Sequence, residues 1–346
     1  MNLQQVTEEL ATELARPVLV IGLDESRLAS SNPDASDGSN HVVVPIRGGS
    51  GPLAFFWLDA EGQPPLSASD FSLIDAGAGI ARDLLTDDPA ARPGSTRELT
   101  MAHLLDDDSA VRRAAFADAV THRWIDRGGR TVVRALLVDE AVGGLQQVSL
   151  GRHLAARTPS HTTFIRERDS VVYLVTRDGR TDNDLDRWIR DESTRVGVPV
   201  VAIGSAHHDP ASDDLFEAAA EARIAADLTA ALPELQPASS IEELGGWVML
   251  QSVSASPRRL ADISPAADIL CRAGDALQRQ TIETYLDAGG QARTACERLH
   301  IHRTTLYYRL DNMPEVVKDA LADGMKRSTL HLALKLIRYW EASGAI

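Results

Sequence analysis

Six residues near the C-terminus carry the densest recognition chemistry in the chain: His302, Arg303, Thr304, Thr305, Tyr307 and Tyr308. Together they offer a guanidinium, an imidazole, two aliphatic hydroxyls and two phenols, all able to hydrogen-bond to base edges or phosphate oxygens. The apolar residues around them dictate how they are held. Ile282, Tyr285 and Leu286 give a first helix its buried stripe, and Gly289-Gly290 stops it. Ala292, Ala295, Cys296 and Leu299 give a second short helix, with Ile301 in the turn that follows. Leu306, Leu310 and Met313 give a third helix the 3–4 spacing of a core-facing stripe. Ala295 and Cys296 are small and let the last two helices cross closely. With Leu306 inward, Thr304, Tyr308 and Asp311 face outward. Arg303, Thr305 and Tyr307 flank that face, and His302 stands just before it. This is a helix-turn-helix pattern preceded by one more helix. In such a unit Arg303 can read a guanine with two hydrogen bonds, and the threonines can meet a thymine methyl or a phosphate. Tyr307 and Tyr308 can donate to phosphates. Double-stranded DNA is the expected partner.

The segment LHIHRTTLYYRL, Leu299 to Leu310, closely resembles the signature of the C-terminal domain of PucR-like (CdaR-like) bacterial transcription regulators. The preceding YLDAGGQARTA and the later LHLALKL, Leu330 to Leu336, are similar to the family's neighbouring segments, in the same order. The third helix also resembles that of the nucleoid protein Fis. That resemblance implies that His302, Arg303, Thr305, Tyr307 and Tyr308 occupy DNA-touching positions. Two departures stand out: Thr304 replaces the usual asparagine, and Tyr307 replaces an often basic residue. Loss of a cation there weakens phosphate contact or alters the preferred site without undoing the fold.

A net charge of −15 over 346 residues runs against DNA binding until it is divided. Cys271 to Ile346 holds 11 Lys+Arg and 9 Asp+Glu, a net of +2; the remainder holds 24 and 41, a net of −17. All three lysines, Lys318, Lys326 and Lys335, fall in the last region. An acidic body carrying a mildly basic head repels DNA at long range and suppresses non-specific binding. Modest affinity for one head follows, so a homodimer or larger homo-oligomer reading repeated half-sites is expected.

Cys271 and Cys296 are the only cysteines, and no Cys/His cluster has zinc spacing, so neither a disulfide framework nor a metal is expected. His207-His208-Asp209 reads as a solvated loop, since adjacent side chains on a loop point apart. The glycines at 22, 48, 49 and 51 make no phosphate loop, because no Lys-Ser/Thr follows. No cofactor is expected. The opening Met1 to Leu14 lacks a basic start and an apolar block, and no stretch approaches the ~20 apolar residues of a membrane span. A cytoplasmic protein, nucleoid-associated when on DNA, is expected.

The fold class expected is α/β (α+β) and multidomain. Residues 1–86 give an opening helix, a strand at Pro17-VLVIG, a polar loop from Leu28, a hairpin around Arg47-GGSG and a helix from Asp70 to Leu85. This order resembles a small GAF/PAS-like domain that senses a small-molecule effector or dimerises. Phe55, Phe56 and Trp57 read as core and interface aromatics, and His41 as structural. Residues 87–129 read as a helical linker, with Asp87-DPAARPGS marked as linker by its Pro, Gly and Asp content and Asp108 or Ser109 a helix cap. Residues 130–255 give β-α-β-β-α-β-α, a ferredoxin-type split βαβ order resembling the GGDEF-like domain of PucR-like regulators. Residues 265–346 are the all-α head.

The GGDEF resemblance raises a nucleotide cyclase, which the residues argue against. The hairpin, with its turn read at Glu167-Arg168-Asp169, continues into Ser170-Val171. Both glycines are missing, Arg168 would enter the nucleotide site, and Asp169 alone cannot replace a two-metal carboxylate pair. No enzyme activity is expected. The reading is a sequence-specific, signal-responsive transcription regulator. The rival is a protein-interaction adaptor whose helix-turn-helix no longer binds DNA, supported by Thr304, Tyr307 and the net charge. The operator, effector, direction of regulation and oligomer size are not written in the residues.

Overall fold

The computed structural model describes residues 2–32, 40–48, 51–85, 96–128, 130–158, 162–177, 183–236, 240–272 and 276–346. The polar linker at 87–95 and most of the polar loop after Leu28 lie outside these residues, as do Gly49 and Ser50 of the hairpin tip. The chain divides into two compact units: 1–230 with 235–244, and 231–234 with 245–346.

The first unit opens with α1 (Leu3–Glu13), β1 (Val18–Gly22), β2 (Arg27–Ser30), β3 (His41–Arg47), β4 (Pro52–Asp59) and α2 (Ala68–Leu85). The strands form an antiparallel sheet in the order β2-β1-β4-β3. Strand β2 occupies residues that read as loop from their Ser and Asn content; pairing of Leu19 with Ser30 and Val20 with Ala29 overrides that local preference. Val6, Leu10 and Leu14 bury their side chains with Val18, Val20, Ile46, Phe56, Leu58 and Ile74. Strand β4 alternates: Phe56 is buried, while Phe55 and Trp57 are half-buried on the other face. Trp57 there meets the His41 ring at 5.3 Å. Asn2 caps α1, its side chain accepting from the Gln5 amide while the Gln5 side chain accepts from the Asn2 amide.

Next come α3 (Thr96–His103), α4 (Ser109–Thr121), β5 (Val132–Val138), α5 (Gly144–Arg157), β6 (Thr162–Arg168), β7 (Val171–Thr176), α6 (Asn183–Arg195), β8 (Val200–His207) and α7 (Phe216–Ala231). The second sheet is antiparallel in the order β6-β7-β5-β8, the arrangement of a split βαβ unit. Helices α3 and α4 are not a free linker. Met101, Leu104, Phe116 and Ala119 share one buried core with Val133, Tyr173 and Ala222, so both helices belong to this sheet's packing. Asp108 is the α4 cap; its carboxylate accepts from the Ala110 amide at 2.8 Å. The β6–β7 turn falls at Asp169-Ser170, both with positive φ, and not at Glu167-Arg168-Asp169 as expected. A two-residue hairpin needs that left-handed twist. Arg168 is on the strand and pairs with Asp107 at 2.8 Å.

His208 is also unlike the expected solvated loop residue. It is 1% exposed, its ring lies 4.9 Å from Phe116, and its amide donates to the Thr131 carbonyl at 2.9 Å. Burial lowers its pKa, with Asp209 and Asp214 pulling the other way. Deeper in the sheet the fully buried Arg134 pairs with Asp186 at 3.1 Å and donates to Thr176 at 2.6 Å, which offsets the cost of burying a charge. The two sheet regions of this unit meet through α1, α2 and α5: Leu145 of α5 enters the first core, and Arg152 donates to the Asp75 carbonyl.

The second unit is helical: α8 (Ile241–Leu244) closes the first unit, then follow α9 (Gly246–Gln251), α10 (Pro257–Ile263), α11 (Pro265–Arg272), α12 (Ala276–Asp287), α13 (Ala292–Leu299), α14 (Arg303–Asp311), α15 (Glu315–Ala322) and α16 (Gly324–Ala342). Residues 245–255, expected with the middle domain, pack here. Leu250 is buried with Leu260, Leu334 and Trp340, and the Trp340 indole donates to the Val253 carbonyl at 3.2 Å. Helix α16 runs through this core, burying Leu330, Ala333, Leu334 and Ile337. Among the described residues no helix is long and apolar enough to cross a membrane.

Gly204 offers a sharp test of the middle sheet. A Cβ there would stand 2.0 Å from the Ala222 carbonyl oxygen and 2.3 Å from the Ala226 nitrogen, both backbone atoms of α7. Overpacking against backbone cannot relax by a rotamer change, so Gly204→Ala is expected to cost about 3 kcal/mol or more. Urea unfolding of the two proteins, followed by circular dichroism, checks this.

Candidate nucleic-acid interface

Each element of the helix-turn-helix is set by local chemistry. Helix α12 ends where Gly289 and Gly290 take φ of +63° and +77°, and the Gly290 amide closes on the Tyr285 carbonyl at 2.9 Å. That conformation favours glycine, which has no Cβ to clash. Helix α13 ends at His300 in the left-handed region, φ 53° and ψ 42°, with the Ile301 amide donating back to Cys296 at 3.1 Å. Helix α14 then starts immediately after His302, whose backbone is extended.

Leu306 fixes how α14 sits. It is fully buried with Ala288 and Ala295, ringed by Tyr285, Ala292, Cys296, Leu299, Ile301 and Leu310. The small Ala295 lets α13 approach. Met313, assigned to the third helix's stripe, lies just past the helix end and is buried in the larger core of the unit. The outward face follows: His302, Arg303, Thr304, Thr305, Tyr307 and Tyr308 are all exposed, Tyr308 at 70%, as is Asp311. All six candidate residues therefore lie on one accessible surface of one helix and its cap.

Two local pairings pre-shape that surface. Arg303 donates to the Tyr307 hydroxyl at 3.1 Å, and its guanidinium carbon lies 5.5 Å from the ring centre. The hydroxyl contact raises the Arg303 pKa, so the group stays charged. His302 Nδ1 lies 3.0 Å from the Thr304 hydroxyl. No side chain caps the first turn of α14; the Thr305 and Leu306 amides donate to the His302 carbonyl, and the two amides before them have no side-chain cap. Among the described residues, no group of three or more His, Cys, Asp or Glu is placed to hold a metal.

The supporting polar residues escaped sequence reasoning. Arg309 turns inward from α14 and donates to the buried Thr281 hydroxyl of α12 at 3.1 Å. Arg298 of α13 donates to the Asp287 carbonyl at 3.3 Å. Helix α12 is in turn clamped to α16. Lys335 reaches Glu283 and Asp287, each at 2.7 Å; His331 reaches Asp287 at 2.7 Å; Arg279 grips Glu341 with two bonds of 2.8 and 2.9 Å. Only the alternation of charges on α12 and α16 hinted at these pairs, and both helices are needed to see them.

The profile of the PucR C-terminal helix-turn-helix domain matches residues 278–336. This segment is a PucR-type helix-turn-helix domain. The match spans α12 to the middle of α16 and leaves the rest of the chain unassigned. No curated protein matches the chain. Among solved structures, a regulator of polyketide synthase expression from Bifidobacterium adolescentis aligns over 70% of this chain and 98% of its own, at 16% identity and a TM-score of 0.28. A superposition that loose carries no argument about fold or role.

The clamp beneath the PucR-type domain is testable by acid. Burial alone would raise the Asp287 pKa, but His331 and Lys335 overcome it and hold the carboxyl at about 2, below its ordinary 3.8. A depressed carboxylate stabilises the fold above its unfolded pKa and loses that contribution as pH falls through the folded one. Between pH 4 and pH 2 the loss should be about 1–2 kcal/mol, discounted for an Asp287 side chain 31% exposed. Hydrogen exchange of the α12 amides measures it; Asp287→Asn should exchange faster at neutral pH and flatten the acid dependence.

Proposed function

We propose that the protein is a sequence-specific DNA-binding transcription regulator that reads the major groove with α14. The observation carrying this reading is the six-residue polar face, His302, Arg303, Thr304, Thr305, Tyr307 and Tyr308, held outward by the buried Leu306 in a PucR-type domain. Arg303 is the candidate for bidentate contact with a guanine, and Thr304 for a neighbouring base edge. Tyr308, His302 and the open amides of the first turn are the candidates for phosphates. The Arg303–Tyr307 contact supports a role for the tyrosine where a cation is usual: steadying the cation four residues earlier instead of supplying one.

The first 86 residues are proposed as the signal-receiving or dimerising part, and the second sheet region as a GGDEF-like relay without catalysis. A signal that changes how these acidic regions pair between subunits would alter the spacing of two reading heads, and with it affinity for a repeated operator. DNA in the nucleoid of the cytoplasm, a second copy of the chain and a small-molecule effector are the partners this reading needs.

Selection of binding sequences from a random duplex pool by the full-length protein should return a recurring motif. On that motif Arg303→Ala should lose roughly 1–3 kcal/mol, with discrimination relaxed at one base pair. An equal loss on every sequence would reduce Arg303 to a phosphate contact. A pool with no enrichment, with and without the variant, would favour the adaptor role instead.

A further inference from the structure

The second unit leaves an apolar groove open between α9, α10 and α16. It encloses about 700 Å³ and is walled by Met249, Leu250, Val253, Leu260, Leu332 and Trp340. Met249 is 75% exposed, Ile263 57% and Leu332 53%. The groove continues past Ile263 and Thr329 to Met325, which is 78% exposed. Helix α16 explains the surface. One face is spent on the core through Leu330, Ala333, Leu334 and Ile337, and Lys335 and His331 are spent on α12. Met325, Thr329 and Leu332 recur at helical spacing on a further stripe that borders these two hollows, ending at Leu336, which is buried in the core. A helix with an additional apolar stripe is built for an additional partner.

We propose that this groove is a self-association surface, covered by the same groove of a second copy. Three observations point to a copy of this chain as occupant. First, the area reaches the threshold: Met249, Val253, Ile263, Met325 and Leu332 together expose on the order of 500 Å² per copy, so pairing two can remove up to about 1,000 Å² from these residues, the low end for a specific interface. Second, the charge fits. The chain carries a net −15, yet the hollow between α9, α10 and α16 is lined by no Asp or Glu and by one charged residue, Arg259, and its continuation toward Met325 adds one charge of each sign, Asp319 and Lys326, so two acidic molecules can approach here with little repulsion. Third, the patch has both relief and hollow: two projecting, pliable methionines flank a concavity, a self-complementary shape for a two-fold contact. No residue of α12, α13 or α14 lines it, so pairing leaves the polar face of α14 free. That the pair sets two reading heads side by side rests on the DNA-binding reading; the pairing itself does not.

The test uses full-length protein in peroxide footprinting across a concentration series, with mass followed by sedimentation equilibrium. Met101 and Met313, 1% and 3% exposed, serve as buried internal standards. Oxidation of Met249 and Met325 should slow as the dimer fraction grows. Leu332→Glu should restore fast oxidation and weaken association at least about tenfold by placing a charge in an apolar contact. Leu332 is already half-exposed, so the variant should melt like the parent; if it does not, Met249→Glu replaces it. Fast oxidation at every concentration would overturn the proposal. So would protection that ignores dilution in a monomer, which would mean the chain covers its own groove. A dimer whose mass and footprint ignore both variants would overturn it as well. Absence of any DNA motif would sink the reading head and leave a positive footprint standing.

Discussion

The reading face proposed for the C-terminal unit depends on the burial of one side chain, Leu306. Helix α14 is nine residues long and has almost no amphipathic character beyond that anchor, so it could not hold an orientation alone. Seating Leu306 among Ala288, Ala295, Leu299 and Ile301 fixes its rotation about its own axis. Because residues on a helix are 100° apart, fixing one fixes all: Thr304 and Tyr308 are thrown to the opposite side, and Arg303 and Tyr307, four apart, are brought into contact. The small residues of α13 matter for the same reason, since a bulky side chain at Ala295 would lift α14 away and rotate it.

Charge is then distributed to support that placement. Of the arginines and lysines around the head, Arg309, Lys335, Arg279 and Arg338 are engaged in tying α14 to α12 and α12 to α16. They contribute rigidity more than field. Arg303 stands on the outward face, and among the described residues its side-chain partner is a neutral phenol, Tyr307. On the DNA-binding reading proposed above, a head with a net charge near +2 in a chain of −15 would rely on a few well-aimed groups, which would favour discrimination between sequences over bulk affinity.

Much of this was legible in the residues because helix periodicity and turn chemistry are local. Ile282, Leu286, Ala295 and Leu306 lie in the core as their spacing requires, and Gly289-Gly290 takes the left-handed conformation expected of such a stop. The split βαβ strand order of the middle sheet also follows from its pattern of elements. What was hidden depends on tertiary pairing. Strand β2 forms only because β1 offers it a ladder, so its polar residues read as loop. Helices α3 and α4 read as a linker because their apolar stripes do not say which sheet they cover. His208 reads as solvated until Phe116 is brought against it from a distant helix. Arg309 gave no sign of pointing inward, because its partner Thr281 is on another helix.

The central claim is that Leu306 aims Arg303 at a base edge. Dimethyl sulfate probing of guanine N7 on a selected duplex tests it most directly, since that atom lies in the major groove and is one of the two acceptors a bidentate arginine would take. The account predicts that wild-type protein shields one guanine per half-site and that Arg303→Ala unshields that guanine alone while the backbone footprint persists. A shielding pattern identical in the two proteins, or a backbone footprint with every guanine N7 open, would contradict it.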